Sequence, residues 1–206
     1  MTRGENMEKT GVKITAAALA LNIALFSVKL YVGISSGCLA IYCDGINNLA
    51  DALSSAVSVF GFAAASRMNE RQNKRAQSLI AFVIGLAVAF TGAYFAYQGL
   101  EKLLYPTFVS FYLNYAFLIG VTALVKLGMG FAFRRAGKKN PSPVYKTMEL
   151  DSFTDCAVTV CALIGFGLTE KLNFAIDGVI SAIIGVYVAV TAVITVKRQV
   201  SFLIND

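Results

Sequence analysis

Apolar runs of about 20 residues recur along this 206-residue chain, each long enough to cross a ~30 Å hydrocarbon layer as an α-helix. They cover residues 14–34, 39–65, 79–100, 108–133, about 144–168, and 174–196. A chain spent on six such segments has no residues left for a separate soluble core. Composition agrees: 57% of residues are hydrophobic and 15% charged, against roughly 25% charged in ordinary soluble domains. The fifth run opens on a polar turn and is counted as a span partly because an odd number of crossings would misplace the last basic residues. The expected fold is an all-α membrane protein of six transmembrane helices. Its divisions are an N-terminal tail (1–12), a six-helix transmembrane domain (13–198) and a short C-terminal tail (199–206).

The net charge of +6 is a membrane signal rather than a nucleic-acid one, because the basic residues follow the span ends. Fourteen of the 18 Lys and Arg flank alternate ends: Arg3, Lys9 and Lys13; Arg67 to Arg75; Arg134 to Lys146; and Lys197 with Arg198. Lys102 and Lys171 lie on the other side, and Lys29 and Lys126 lie within spans. This asymmetry predicts cytoplasmic termini. Tyr94, Phe95, Tyr97 and Tyr112 read as interfacial anchors at the outer ends. The first span is too long for a signal-peptide apolar region.

The two halves resemble each other. "KLYVG" (29–33) matches "KLGMG" (126–130), and "DALSSAVSVFGF" (51–62) matches "DCAVTVCALIGF" (155–166). Ile84, Gly85 and Thr91 match Ile184, Gly185 and Thr191. A duplicated unit with three crossings must insert in opposite orientations, so the expectation is a 3+3 inverted repeat with substrate near the midplane.

The repeat also aligns Asn47-x-x-x-Asp51 with Asp151-x-x-x-Asp155, each pair on one helix face by its i, i+4 spacing. Asp51 lies about 21 Å from Gly37 along a helix, and Asp155 about 20 Å from Leu168. An aspartate at the centre of a span costs roughly 2.5–3.5 kcal/mol. Three of them need compensating cations, and the spans offer only Lys29 and Lys126. A bound divalent cation would complete the balance, leaving the set near −1. Hard oxygen ligands suit Mg²⁺ or Mn²⁺, whereas zinc sites usually include imidazole or thiolate, so a zinc site here would be unusual in a chain with no histidine. Once the metal leaves, clustered carboxylates repel and take up protons, so proton exchange for metal follows.

These segments resemble the cation diffusion facilitator family of proton-coupled divalent metal exporters. The likeness runs from about Asn22 to Asp206 and rests on "SSGCLAIYCDGINNLAD" and "ELDSFTD", with "DG" opening the last span. It implies six spans, alternating access, a homodimer, and a four-ligand site of Asn47, Asp51, Asp151 and Asp155. An Asn-Asp-Asp-Asp set is similar to the manganese-exporting branch, so the implied cargo is Mn²⁺, followed by Fe²⁺, Co²⁺, Cd²⁺ and Zn²⁺. The resemblance also implies a form lacking the usual C-terminal cytoplasmic domain. The expected location is multi-pass in a plasma membrane, foremost a bacterial inner membrane. The partners would be the metal, protons and the bilayer, with no prosthetic group and no enzymatic activity.

Around this set, Asp44 reads first as the partner of Lys29 and second as a metal-attracting residue. Cys43 reads first as packing and second as a soft ligand. Lys126 and Glu149 are read as lying toward the cytoplasmic end, as a matching ion pair or an inner gate. Asp177 reads as the cap of the sixth span. Two rival functions are a non-transporting metal-binding scaffold or sensor and a metal-dependent intramembrane lipid transferase. "DGINNLAD" lacks the arginine that such transferases place after their first aspartate.

Overall fold

The computed structural model describes residues 3–64, 70–139, 143–169 and 176–205. Arg67 and Lys171, and the run ends at Ala65 and Phe174, lie outside the described residues. Six helices account for nearly all of it: α1 (Arg3–Ser36), α2 (Leu39–Ala64), α3 (Glu70–Leu104), α4 (Leu113–Lys139), α5 (Pro143–Thr169) and α6 (Ile176–Asn205). The shortest has 26 residues, about 39 Å at the α-helical rise, and so exceeds the hydrocarbon thickness. α1 and α6 continue as helices through most of the two segments read from sequence as tails.

Among the described residues, five helices are long and apolar enough to cross a membrane. The fifth run is one of them, over Met148–Thr169, despite its polar start. α2 falls short instead. It carries Asp44, Asn47, Asn48 and Asp51 within two turns, and their polarity offsets its apolar remainder.

The helices pack as α1 on α2, α4 on α5, and α3 on α6, the last being the most extensive contact. Each of the first two uses the glycine of a Lys-x-x-x-Gly segment. A Cβ on Gly33 would lie 2.7 Å from the Tyr42 backbone nitrogen, and one on Gly130 would lie 2.9 Å from the Phe153 ring. The α1–α2 turn is tight because Gly37 takes φ 69°, the left-handed conformation that ends α1, and Ser36 Oγ accepts from the Cys38 amide.

α3 and α6 approach through a stripe absent from the sequence reading. Gly85, Gly92 and Gly99 recur every seven residues on α3 and face Gly178, Gly185 and Ala192 of α6. A Cβ on Gly92 would sit 2.5 Å from the Ala189 nitrogen, and one on Gly99 2.5 Å from the Ala182 nitrogen. Small residues at this spacing let two backbones meet directly, which favours helix association where lipid is as apolar as any side chain.

Two apolar clusters divide the interior. One contains Val32, Ile41, Cys43, Phe95, Ile119, Phe166 and Val188, and the other contains Ala18, Leu25, Met129, Phe133 and Tyr145. Phe95 is therefore core, edge-on to Tyr42 at 5.2 Å, and is no interfacial anchor, whereas Tyr94, Tyr97 and Tyr112 are exposed. Along α1, α4 and α5 the polar residues Lys29, Lys126 and Asp155 fall between the two clusters in sequence. The interior is apolar, then charged, then apolar.

Candidate metal centre

The charged layer is built from three helices, α2, α4 and α5. Lys126 of α4 reaches across to Asp51 of α2 and Asp155 of α5, with its Nζ 2.7 Å from Asp51 Oδ2 and 2.5 Å from Asp155 Oδ2. The Asn47 amide donates to the other oxygen of Asp155 at 2.6 Å. Three of the four residues aligned by the repeat therefore meet around one ammonium. The Lys126 and Asp155 side chains are buried, and Asp51 is partly open.

Asp151 is set apart. It is exposed, one turn closer than Asp155 to the Pro143 end of α5 and within a turn of where the apolar stretch begins. Its carboxylate still lies within range of the charges of Asp51 and Lys126. α2 and α5 run antiparallel here, since Asp44 and Thr159 share a partner, Lys29, while Asp51 and Asp155 share Lys126. Asn47 and Asp151 consequently fall at opposite ends of the cluster, although each precedes its aspartate by four residues. Among the described residues no three His, Cys, Asp or Glu side chains are close enough together to hold a metal ion. Lys126 stands between the two central carboxylates.

Lys126 is also where the sequence reading needs correcting. It does not pair with Glu149, which faces Arg134 at 3.7 Å on an open surface. Lys126 is 13 residues from Leu113, about 20 Å along α4, which is the depth of Asp51 and Asp155 rather than that of the helix end. The charge balance changes with it. Three carboxylates and one ammonium leave two negative charges, and one divalent cation neutralises the set.

A second ionic layer lies nearer the α1–α2 turn. Lys29 Nζ sits 2.8 Å from Asp44 Oδ2, with both side chains fully buried, as the first sequence reading had it. The pair is Coulombic rather than directional. The Lys29 hydrogen bond goes to Thr159 Oγ1 at 2.8 Å, and neither Asp44 oxygen accepts a directed hydrogen bond among the described residues. Thr159 donates in turn to the Asp155 carbonyl, which ties this pair to the central cluster. Cys43 packs in the apolar cluster at 1% exposure, in line with its packing reading. Asn48 is fully buried with neither amide atom hydrogen-bonded among the described residues, and its side chain was not singled out from sequence.

Asp177 caps α2 rather than its own helix. Its carboxylate accepts from the Leu39 and Ala40 amides at 3.0 and 2.9 Å, from Cys38 Sγ, and from Lys102 Nζ at 2.7 Å. Lys102 also donates to the Gly37 carbonyl. The orphan amides and positive dipole end of α2 thus receive an anion from α6 held by a cation from α3. This lashing fixes the helix that carries Asp44, Asn47 and Asp51.

Comparison with known proteins follows the same outline. The family model described as the cation efflux transmembrane domain matches residues 15–204. An uncharacterized transporter of Methanocaldococcus jannaschii is 28% identical over 173 residues, covering 79% of this chain and 60% of the relative. Metal tolerance protein 11 of Arabidopsis thaliana is 25% identical over 210 aligned positions, covering 98% of this chain and 52% of the relative. The chain spans less than two thirds of the length of either relative.

Proposed function

Because the chain belongs to the cation efflux transmembrane-domain family, we propose that it exports a divalent cation, foremost Mn²⁺, in exchange for protons. The observation that carries this reading is the gathering of Asn47, Asp51 and Asp155 around a single positive charge in mid-bundle. Such a layer already binds a cation, and it carries more negative charge than its own lysine neutralises. Asp151, one turn away on the same helix, is the fourth ligand once α5 turns or shifts toward α2. All four donors are oxygens, which favours Mn²⁺ over Zn²⁺.

Alternating access would move α2 and α5 relative to the α3–α6 pair. The three helix pairings support two three-helix copies in opposite orientation, with α1–α2 answering to α4–α5 and α3 to α6. The basic flanks support cytoplasmic termini in a plasma membrane, foremost a bacterial inner membrane. The proposed assembly is a homodimer, as in the family that the sequence resembles. When metal departs, its charge is replaced by protons on the unpaired carboxylates, so each export event imports protons.

Proteoliposomes containing only this chain, loaded with a pH dye, test the proposal. A Mn²⁺ gradient drives counter-movement of protons, and the same Zn²⁺ gradient drives less. Metal movement with no proton signal would reject the exchange, and faster Zn²⁺ than Mn²⁺ flux would reject the preference.

A further inference from the structure

We propose that Lys126 is a built-in competitor for the transported ion: its ammonium and the metal occupy the same carboxylate oxygens in turn. This rests on the divalent-cation reading above and adds to it a residue that sets affinity and release. The Nζ touches Oδ2 of both Asp51 and Asp155, the two central carboxylates. Among the described residues it is the only ammonium within hydrogen-bond distance of them. Lys29 is committed to Asp44 and Thr159.

A divalent ion on those oxygens would stand a few ångströms from the ammonium. In a buried layer two such cations repel strongly, so one must withdraw. Lysine suits that exchange, because it is a point charge on a flexible four-carbon stem and is not locked into a planar bidentate fork as arginine is. With the metal absent, the ammonium keeps Asp51 and Asp155 together instead of letting them repel. With the metal present, the energy of breaking two ion pairs is subtracted from metal binding. A site that must both fill and empty gains from that subtraction, since a trio of uncompensated carboxylates would hold its ion and release it slowly.

The test is Mn²⁺ binding by calorimetry to the full chain in lipid nanodiscs, beside Mn²⁺ flux. Lys126→Met should bind Mn²⁺ about tenfold more tightly or better, with flux at saturating metal lowered by slow release. Lys126→Arg, which keeps the charge, should bind far more weakly than Lys126→Met. Equal or weaker binding by a Lys126→Met protein that melts like wild type would overturn the proposal. Should that variant not fold, the wild type answers: acetylation of Lys126 by acetic anhydride, read by mass spectrometry, rises several-fold with Mn²⁺, and no rise overturns it. Asp155→Ala separates the two readings. If it abolishes Mn²⁺ binding while Lys126→Met changes nothing, the competitor fails and the metal site stands; if it binds like wild type, the metal site itself fails.

Discussion

Asp155→Ala should reduce metal-driven flux in proteoliposomes to the level of empty vesicles, a loss of about 100-fold or more. Asp155 is the most connected member of the layer. One of its oxygens receives the Asn47 amide, the other receives the Lys126 ammonium, and its carbonyl accepts from Thr159. Removing a partner behind a metal ligand commonly costs 10–100-fold, so removing Asp155, the proposed ligand held by two other residues of the layer, should cost at least the upper end of that range. Lys126 would also lose one of its two carboxylates and stand as a poorly compensated cation where metal should arrive. Tracer ⁵⁴Mn uptake, normalised to protein folded by gel filtration, is the measurement. Flux near that of the wild type would show that the transported ion passes elsewhere.

The second large effect falls on stability rather than transport. Lys29→Met should destabilise the bundle by about 3–5 kcal/mol, because it strands the Asp44 carboxylate in a fully buried site. Neither Asp44 oxygen has a directed hydrogen bond among the described residues to soften the loss. The double variant Lys29→Met, Asp44→Leu should recover most of that stability, since a buried ion pair replaced by apolar groups is often close to neutral. Denaturation in mixed micelles, followed by helical signal, compares the three proteins. A Lys29→Met protein as stable as wild type would mean that Asp44 finds another partner or a proton.

These outcomes follow from features that were unevenly visible in the sequence. Helix number and approximate ends were legible because a bilayer demands apolar runs of one length, and the i, i+4 carboxylates were legible because nothing apolar explains them. Lys29 with Asp44 was legible too, since two buried opposite charges at one depth have few alternatives. The depth of Lys126 is hidden in the sequence because the apolar run covers 108–133, whereas α4 covers Leu113–Lys139 and puts Lys126 13 residues from either end. Counting residues from Leu113 would have aligned it with Asp51 and Asp155. Asp177 was hidden for another reason. A residue in the first turn of a helix reads as that helix's own cap, and only the packing of α6 beside the α1–α2 turn delivers it to α2. The glycine stripe of α3 needed its partner on α6 to acquire meaning, because glycines seven apart in one apolar run are cheap coincidences.

The proposed transport requires metal to sit among Asn47, Asp51, Asp151 and Asp155. Anomalous diffraction at the manganese edge, from crystals of the wild-type chain saturated with Mn²⁺, addresses it without relying on any transport assay. One dominant peak is expected between α2 and α5, bonded to Asp51 and Asp155, with Asp151 drawn in and the Lys126 ammonium displaced. A saturated crystal whose strongest peak lies outside that layer, with Lys126 still bridging the two aspartates, would contradict the proposal.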